Sequence, residues 1–479
     1  MAHPAVTIVV GIDVGTSGVK ASLVEVREEI AVELRSAAVA YFADKTPCRD
    51  PDRWVSASQE ALARLELPET VEGIGFSGQM HALVALDDGG RPVQDALLWL
   101  DYEGAEPLAR FVRAHPEIDL LAETGNVALP DFTLAKWLLL RERAPDAAAR
   151  VARITHAKDY VRHALCADEW ATDWNEASGT QIFDPWQRTW SAAVAAAAEL
   201  PISLLAPVTE ATAETRQPRS RDGAVVSSRC VVGTGDQAAA ARGVGASREG
   251  IVSLGLGTSG VVAGEIELRV VGDDWDGGFH LFSLDSPELL QIIGTVPSVG
   301  PTLAWAARVL RVPIADLGSL ASSATSRPGR VLFFPYLGGR GAPHADAAQT
   351  GALTGLREST TDGEIAQAVY VGIALELASV VDEMSRAGAA VREIICSGGP
   401  SRDPYLLETI ATALEVPCRS ASTVNASSVG AALLAYDAID PMRRPRLASH
   451  LVSPSRSPLY TEEWRAMRTA LVDQSSFRC

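Results

Sequence analysis

The chain has 479 residues and a net charge of −18, a length that favours two domains of roughly 240 residues each. Its 47% hydrophobic and 21% charged residues are typical of a globular protein, and the acidic balance argues against nucleic acid or an anionic membrane as a partner. The six cysteines form no C-x-x-C pair, which predicts reduced thiols. Since neither a signal peptide nor a membrane span is predicted, we expect a cytoplasmic protein.

The chain begins with a predicted β-meander over residues 6–40, whose first turn is the tetrapeptide Gly-Thr-Ser-Gly at 15–18. Glycine adopts the positive φ of a tight hairpin, so the apolar runs on both sides of this turn indicate antiparallel strands. Asp13 ends the first strand, where a buried acid is costly unless it faces a cation such as magnesium or accepts from the turn amides. Lys20 follows the turn by two residues. It is interpreted either as a positive charge that binds phosphate or as an exposed lysine on the face of the strand.

The same tetrapeptide recurs at 257–260, between the apolar run 251–256 and the residues 261–263. One hairpin in each half predicts a duplicated domain whose two turns face one cleft and clamp a phosphate chain, although either copy alone is also explained as a surface turn. The second copy also matches G-x-G-x-x-G, but a dinucleotide site requires a helix where 261–263 predicts a strand. The sequence contains no Walker-type Gly-Lys-Ser/Thr element.

The next elements lead to a candidate sugar site. Asp50 and Pro51 are typical of a helix start, and we expect that helix to end near residue 65. The predicted strand 71–76 brings Gln79 and His81 to its carboxyl end, where open α/β sheets bind ligands. Both side chains donate and accept hydrogen bonds, which suits sugar hydroxyls, although a histidine at a strand end is often structural.

A second strand is predicted at 96–100, with Trp99 and Asp101 at its end. An aromatic face beside a carboxylate suits a polyol, but Trp99 is equally explained as a core residue. A helix is expected at 133–143, and the segment 169–190, rich in Trp and Asp, reads as an insertion able to wall a substrate pocket.

Asp236 follows a predicted strand and precedes a predicted helix near the middle of the chain. A protein of two lobes has its cleft at such a junction, and a carboxylate there is placed to accept the proton of an attacking hydroxyl. The alternative is a helix N-cap, for which aspartate is common.

The second half is predicted to continue with two helices and two strands, at 302–310, 364–386, 331–337 and 391–396. The last strand leads to Gly398 and Gly399. Paired glycines let a flat ring such as adenine approach the backbone, and a simple tight turn has the same pattern.

Seven short runs occur in one order along the chain: Gly-Ile-Asp-Val-Gly-Thr-Ser-Gly-Val-Lys at 11–20, Ser-Gly-Gln-Met-His at 77–81, Leu-Trp-Leu-Asp at 98–101, Lys-Asp-Tyr at 158–160, Gly-Asp-Gln at 235–237, Gly-Thr-Ser-Gly at 257–260 and Gly-Ala-Leu-Thr-Gly-Leu at 351–356. In this order they resemble the FGGY family of sugar kinases, most closely its xylulokinase branch, over nearly the whole length. The resemblance implies an α/β fold of two actin-like, ribonuclease H-like (ASKHA) domains, an N-terminal one at 1–243 and a C-terminal one at 244–479, with the active site in the cleft between them.

The resemblance also implies an ATP- and magnesium-dependent kinase for a pentulose, D-xylulose first, in xylose metabolism, with homodimers as a common assembly. Asp236 would be the general base and Asp13 the magnesium ligand. The residues expected to contact ATP are Thr16, Ser17, Lys20, Gly257, Thr258, Ser259, Gly398 and Gly399. Those expected to contact the sugar are Gln79, Met80, His81, Trp99, Asp101 and Gln237.

Several positions depart from the pattern of the branch. Gln237 and Leu100 stand where asparagine is usual, and the loop 339–344 reads Gly-Arg-Gly-Ala-Pro-His without its usual acid. The longer arm of Gln237 favours another ketose or polyol, such as ribulose, erythritol or glycerol, as the alternative substrate. A catalytically silent regulator that binds sugar or nucleotide is a further alternative, but it would be expected to lose Asp236 or one of the turns.

Overall fold

The computed structural model describes residues 6–44, 46–166, 169–215, 229–272, 275–324, 331–454 and 461–475. Within these ranges the strands are β1 (Val6–Val14), β2 (Gly18–Arg27), β3 (Ile30–Ala40), β4 (Gly73–Gly78), β5 (Val84–Leu86), β6 (Arg153–Thr155), β7 (Thr172–Asp173), β8 (Phe183–Asp184), β9 (Thr189–Trp190), β10 (Val208–Thr209), β11 (Glu214–Thr215), β12 (Arg229–Val231), β13 (Thr234–Gly235), β14 (Ile251–Leu256), β15 (Gly260–Glu267), β16 (His280–Ser283), β17 (Leu289–Val296), β18 (Leu332–Phe334), β19 (Ala352–Thr354), β20 (Glu393–Ser397), β21 (Cys418–Ala421), β22 (Arg446–Leu447) and β23 (Ser449–Leu451).

The α-helices of the same ranges are α1 (Pro51–Arg64), α2 (Ala105–Ala114), α3 (Leu120–Thr124), α4 (Thr133–Arg143), α5 (Pro145–Ala148), α6 (Ala157–Cys166), α7 (Trp174–Ser178), α8 (Ala192–Ala197), α9 (Asp236–Val244), α10 (Gly300–Val309), α11 (Leu317–Ser322), α12 (Asp362–Arg386), α13 (Pro404–Ala413), α14 (Ala426–Ile439) and α15 (Thr461–Ser475).

The first sheet has the strand order β11-β12-β4-β1-β2-β3-β22, and β13 pairs with β4. β1 and β2 form the antiparallel hairpin predicted around 15–18, with Asp13 directly opposite Lys20. Because β1 also runs parallel to β4, the end of β4 lies beside the hairpin turn, with Ser77 opposite Asp13. The predicted meander and the predicted strand before Gln79 are therefore confirmed.

The second sheet, of order β16-β17-β15-β14-β20-β21-β23, repeats this arrangement. β14 and β15 form the second hairpin, and β14 runs parallel to β20 as β1 does to β4. β15 continues as a strand from Gly260, so the G-x-G-x-x-G match is no dinucleotide turn, as expected.

Local signals fix the predicted helices well. The Asp50 side chain accepts from the Asp52 N–H at the start of α1, and Pro51 occupies the first turn. α4 has the predicted bounds. α12 begins with a capping box of Thr361 and Glu364, which satisfies N–H groups that have no partner inside the helix.

α12 lies in the core of the second half. Among the described residues it is the one helix that is long and apolar enough to cross a membrane, and 83% of its most apolar stretch is buried within the fold. A buried core helix passes the same test, so α12 is weak evidence for a membrane span.

Two crossing helices, α9 and α14, connect the halves. A Cβ added at Gly430 would lie 1.7 Å from the carbonyl oxygen of Ala239, and one added at Gly243 would lie 2.0 Å from that of Ala426. Only glycine permits this close approach. α14 then packs on β1 and β4, and β22 joins the first sheet beside β3, so the end of the chain returns to its first sheet. The division of the sequence at 243 and 244 stays a prediction.

The strand predicted at 96–100 is wrong. Leu97 makes only an isolated bridge, and the chain turns at 99–100. The Asp101 carboxylate holds this turn, because one oxygen accepts from the Leu98 N–H at 2.7 Å and the other accepts from Arg49. A side chain thus supplies the bonds that a neighbouring strand would have made.

The expectation of reduced thiols is wrong for one pair, because Cys166 and Cys230 form a disulfide with Cα atoms 6.6 Å apart. Cys166 ends α6 and Cys230 lies in β12, so the fold joins positions separated by 64 residues. Cys479 lies outside the described residues, and three buried cysteines are free as expected: Cys48, Cys396 and Cys418.

Candidate active site

One cavity of about 200 Å³ is lined by residues of both hairpins. The predicted site residues in its lining are Asp13, Lys20, Gln237, Gly257, Ser259 and Gly398. Asp13 and Lys20 lie in the strands that flank the first turn, whereas Gly257 and Ser259 belong to the second turn itself. Four other predicted ATP contacts do not line this cavity: Thr16, Ser17, Thr258 and Gly399. The backbone and hydroxyl groups of the second turn, together with the Lys20 charge, suit a chain of phosphates.

Two helix N-termini complete the cavity wall. Gln237 lies in the first turn of α9 and Asn425 immediately precedes α14, and neither helix has a side-chain cap. Free N–H groups at a helix start carry partial positive charge and suit an anion. The Glu33 carboxylate accepts from the Asn425 side chain at 2.9 Å and from the Thr423 hydroxyl at 2.6 Å, which fixes this loop to β3. Asn425 and Ser427 were not predicted as site residues, although an Asn before an apolar helix is a detectable signal in the sequence.

Asp13 is the carboxylate nearest to the first turn. Burial raises its pKa, whereas the Lys20 charge and a hydrogen bond from the Ser77 hydroxyl, at 3.2 Å, lower it. A buried acid that disfavours its charged form fits a nearby cation. No group of three or more His, Cys, Asp or Glu side chains suited to a metal occurs within the described ranges. A single carboxylate beside a phosphate site fits a magnesium ion, which is usually bound through one or two carboxylates together with water and substrate phosphates.

Asp236 is the first residue of α9, at the predicted junction between strand and helix. Burial and the negative charge of Asp13 raise its pKa to about 7, although hydrogen bonds from Gln237 lower it. A carboxylate with a pKa near the working pH is well matched to accept a proton from an alcohol. Ser427, from the start of α14, donates to the Asp236 carbonyl oxygen at 3.2 Å and ties the two helix starts together.

His81 is held firmly beside the end of β4. Its Nδ1 lies 2.7 Å from the Gly179 carbonyl oxygen, and its ring packs edge-on against Phe132 at 4.6 Å. Burial lowers its pKa to about 4, so the ring is neutral at pH 7 and Nδ1 must carry the proton that it shares with Gly179. Nε2 is then an acceptor suited to a sugar hydroxyl. The backbone φ of 68° is rare for a residue other than glycine and is often found at functional sites.

Gln79 and Met80 precede His81 in the same loop. Gln79 is 2% exposed, and neither its amide oxygen nor its amide nitrogen has a hydrogen-bond partner among the described residues. Buried polar groups are rarely left unpaired, so this amide fits a ligand that supplies hydroxyls. Met80 packs with Phe282 and Ile293 of the second sheet, so the candidate sugar site touches both halves.

Trp99 and Asp101 make other contacts than the sequence suggested. The Trp99 indole N–H donates to the Thr16 hydroxyl at 3.0 Å, which links the candidate sugar loop to the first phosphate turn. Asp101 is 7% exposed and already accepts from Arg49 and from the Leu98 N–H. The single donor of Trp99 is thus taken, and each Asp101 oxygen already accepts one bond, so both side chains have less free hydrogen-bonding capacity than Gln79.

Comparison with known proteins identifies the arrangement. The profile of the FGGY family of carbohydrate kinases, N-terminal domain, matches residues 8–243, and that of its C-terminal domain matches residues 254–439. A xylulose kinase of Lactococcus lactis is 30% identical over 419 residues, which cover 84% of this chain and 82% of the relative. A xylulose kinase of Escherichia coli is 28% identical over 469 residues, 94% of this chain and 96% of the relative.

The crystal structure of a xyloylose kinase from Brucella ovis has a TM-score of 0.87 and 26% identity, over 98% of this chain and 100% of that chain. The fold is thus the α/β, two-domain fold of carbohydrate kinases, and the enzyme is an ATP-dependent sugar kinase that uses magnesium. The chain belongs to the FGGY family of carbohydrate kinases.

Proposed function

We propose that this enzyme phosphorylates a pentulose, D-xylulose first, to give D-xylulose 5-phosphate. The observation that carries the proposal is the cavity lined from both halves, with Asp13 and Lys20 of the first hairpin, the second turn at Gly257 and Ser259, and Gln237 next to Asp236. Relatives named xylulose kinase support the choice of sugar.

In this mechanism Asp236 is the general base. Its carboxylate accepts the proton of the primary hydroxyl while the hydroxyl oxygen forms a bond to the γ-phosphorus, and the bond from that phosphorus to the bridging oxygen of ADP breaks. Phosphoryl transfer asks mainly for alignment and charge neutralisation, so a well-placed base is sufficient chemistry from the protein. A pKa of about 7 leaves roughly half of the carboxylates ionised at neutral pH.

The phosphates of ATP lie between the two turns in this proposal. Their contacts would come from Thr16, Ser17, Lys20, Gly257, Thr258 and Ser259, and Gly398 with Gly399 would border the adenosine. Asp13 would hold magnesium, which when bound would neutralise charge on the phosphates. Lys20 lies opposite Asp13 in the hairpin and adds a second positive charge on the same side.

The sugar would lie between the end of β4 and the start of α9. Gln79 supplies an unpaired amide, His81 an acceptor at Nε2, and Met80 an apolar surface that reaches the second sheet. Trp99, Asp101 and Gln237 are proposed as further contacts, and the longer side chain of Gln237 keeps another ketose or a polyol open.

Turnover of a panel of sugars tests the proposal. Rates are measured by coupled detection of ADP with D-xylulose, D-ribulose, erythritol, glycerol and gluconate. We expect the highest kcat/KM for D-xylulose, and a loss of about 10²–10⁴-fold in kcat for Asp236→Asn, since this is the usual contribution of a general base. A higher kcat/KM for glycerol or erythritol would overturn the choice of sugar, and an unchanged kcat in Asp236→Asn would overturn the base.

We also propose a cytoplasmic location and a homodimer. Molecular mass by light scattering during size exclusion checks the dimer.

A catalytically silent regulator would bind sugar and nucleotide but release no ADP with any sugar of the panel.

A further inference from the structure

A cluster of buried charges lies behind the candidate sugar site, and the mechanism above gives it no role. Lys158 and Asp159 of α6, Asp173 at the start of α7 and Glu176 within α7 are each at most 1% exposed. Removing charges from water is costly unless they are paired closely. The cost of burying these charges next to the candidate sugar site therefore needs a structural or functional explanation.

The cluster is paired through one ammonium group. The Lys158 Nζ lies 2.7 Å from an Asp159 oxygen and 3.1 Å from Asp173 Oδ1. Arg162 Nε lies 3.8 Å from Asp159, so a second positive charge lies beside that aspartate. Burial raises the pKa of Glu176 well above its ordinary value. The two aspartates are therefore each paired with at least one positive charge inside the fold.

One bond leads from this cluster to the strand that carries the base. Asp173 Oδ2 accepts from the Thr234 hydroxyl at 2.7 Å, and both atoms are buried. Thr234 lies in β13, two residues before Asp236, and β13 pairs with β4 at Ser77 and Gly78. The position of the Asp236 carboxylate therefore depends on a backbone that this hydroxyl ties down.

The same lysine packs beneath the sugar loop. A Cβ added at Gly78 would lie 3.3 Å from both the backbone nitrogen and the Cβ of Lys158. A Cβ at Gly235 would lie 2.8 Å from Asn175 Oδ1 and 2.5 Å from the sulfur of Met80. The end of β4 and the end of β13 are thus packed against α6 and α7, with the cluster between those two helices.

We propose that Lys158, Asp173 and Thr234 form a positioning relay that sets Asp236 at the correct distance from the sugar hydroxyl. The inference rests on the proposed function, because it takes Asp236 as the base. The relay touches neither sugar nor ATP and acts through the backbone of β13. A displacement of the base by about 1 Å is enough to lower the rate roughly 10²-fold.

Thr234→Val is the sharpest test, because it keeps the shape of the side chain and removes the hydroxyl that Asp173 accepts from. Replacing Lys158 is less useful, since it leaves two buried aspartates short of a partner and threatens folding. Thr155→Val is the matched control. Thr155 is also 1% exposed, and its hydroxyl has no hydrogen-bond partner within the described ranges, so the same change there breaks no bond.

The variants are assayed with D-xylulose, or with the best substrate of the panel, by coupled ADP detection. For Thr234→Val we expect kcat to fall about 10- to 100-fold while the KM for the sugar stays within about twofold. Thr155→Val should keep both constants within about twofold, and Thr234→Ser, which restores a hydroxyl, should recover most of kcat. If Thr234→Val precipitates, Thr234→Cys, a much weaker donor of similar size, takes its place.

A double variant separates positioning from simple stability. In Asp236→Asn, adding Thr234→Val is expected to lower kcat no further, because there is no base left to position. A kcat for Thr234→Val within about twofold of Thr155→Val would overturn the relay, even if the melting temperature fell. If Asp236→Asn loses activity and Thr234→Val does not, the relay alone is wrong. If Asp236→Asn keeps full activity, both the base and the relay are wrong.

Discussion

Acid is expected to switch this kinase off through Asp236, well above the pH at which an ordinary aspartate would respond. Burial and the nearby negative charge of Asp13 raise its pKa from 3.8 to about 7. The ionised fraction then falls to roughly a tenth at pH 6 and a hundredth at pH 5. We therefore expect kcat/KM for the sugar to be about tenfold lower at pH 6 and about 100-fold lower at pH 5 than at pH 8.

The pH profile of kcat/KM for the sugar is the appropriate assay, because at saturating ATP it reports groups of the enzyme form that the sugar encounters. Initial rates are measured by coupled ADP detection at fixed, saturating ATP and magnesium, between pH 5 and pH 8.5. Enzyme held at pH 5 and assayed at pH 8 controls for unfolding. His81 does not interfere, since burial lowers its pKa to about 4 and it stays neutral over this range. A flat profile from pH 5.5 to 8, or a single limb centred near pH 4, would refute the reasoning.

Three further outcomes are expected. Asp236→Asn should raise the melting temperature more at pH 8 than at pH 5. The pKa of Asp236 is about 7 in the folded state against 3.8 for an ordinary aspartate, so its ionisation lowers the free energy of unfolding as the pH rises, by about 4 kcal/mol above pH 7. Equal melting temperatures of variant and wild type at pH 8 would contradict this. Gly430→Ala should give little soluble protein, since its Cβ would meet the Ala239 carbonyl oxygen at 1.7 Å. Gly272→Ala, whose Cβ would meet no atom of the described residues within 4 Å, should melt like the wild type. Trp99→Phe should raise the KM for ATP about 3- to 10-fold, because it loses the indole N–H that donates to the first turn; an effect on the KM for sugar alone would exclude that link.

Much of the fold was predictable because its signals are local. Each Gly-Thr-Ser-Gly turn predicts a hairpin from its own residues, and Asp50 followed by Pro51 predicts the start of α1. Asp236 was placed correctly at the start of α9, because a strand, a glycine and an alanine-rich run identify that junction. That residues of both hairpins line one cavity followed from the repetition of the hairpin in the two halves.

What the sequence could not provide is contact between distant residues. The run 96–100 has the composition of a strand, but Arg49 and the Asp101 carboxylate hold it as a turn, and neither bond is visible in a pattern. The disulfide of Cys166 with Cys230 has the same origin, since the fold brings together the ends of α6 and β12.

The candidate site was incomplete for the same reason. Gln79 was proposed for its chemistry, but that its amide is buried and unpaired depends on the packed fold. Lys158 was noticed only as part of a motif, and its bond to Asp173 spans two helices whose contact no local pattern predicts.

The return of the chain to its first sheet makes the first half dependent on a helix from the second. Val9, Val24 and Val26 of the first sheet lie in one apolar cluster with Val429 and Leu433 of α14. A polypeptide ended at the midpoint would leave those valines facing water or another chain, and nothing encoded upstream of that point replaces the missing cover. The first half is therefore expected to fold only when a chain that carries α14 is supplied with it, either in the same polypeptide or as a co-expressed fragment.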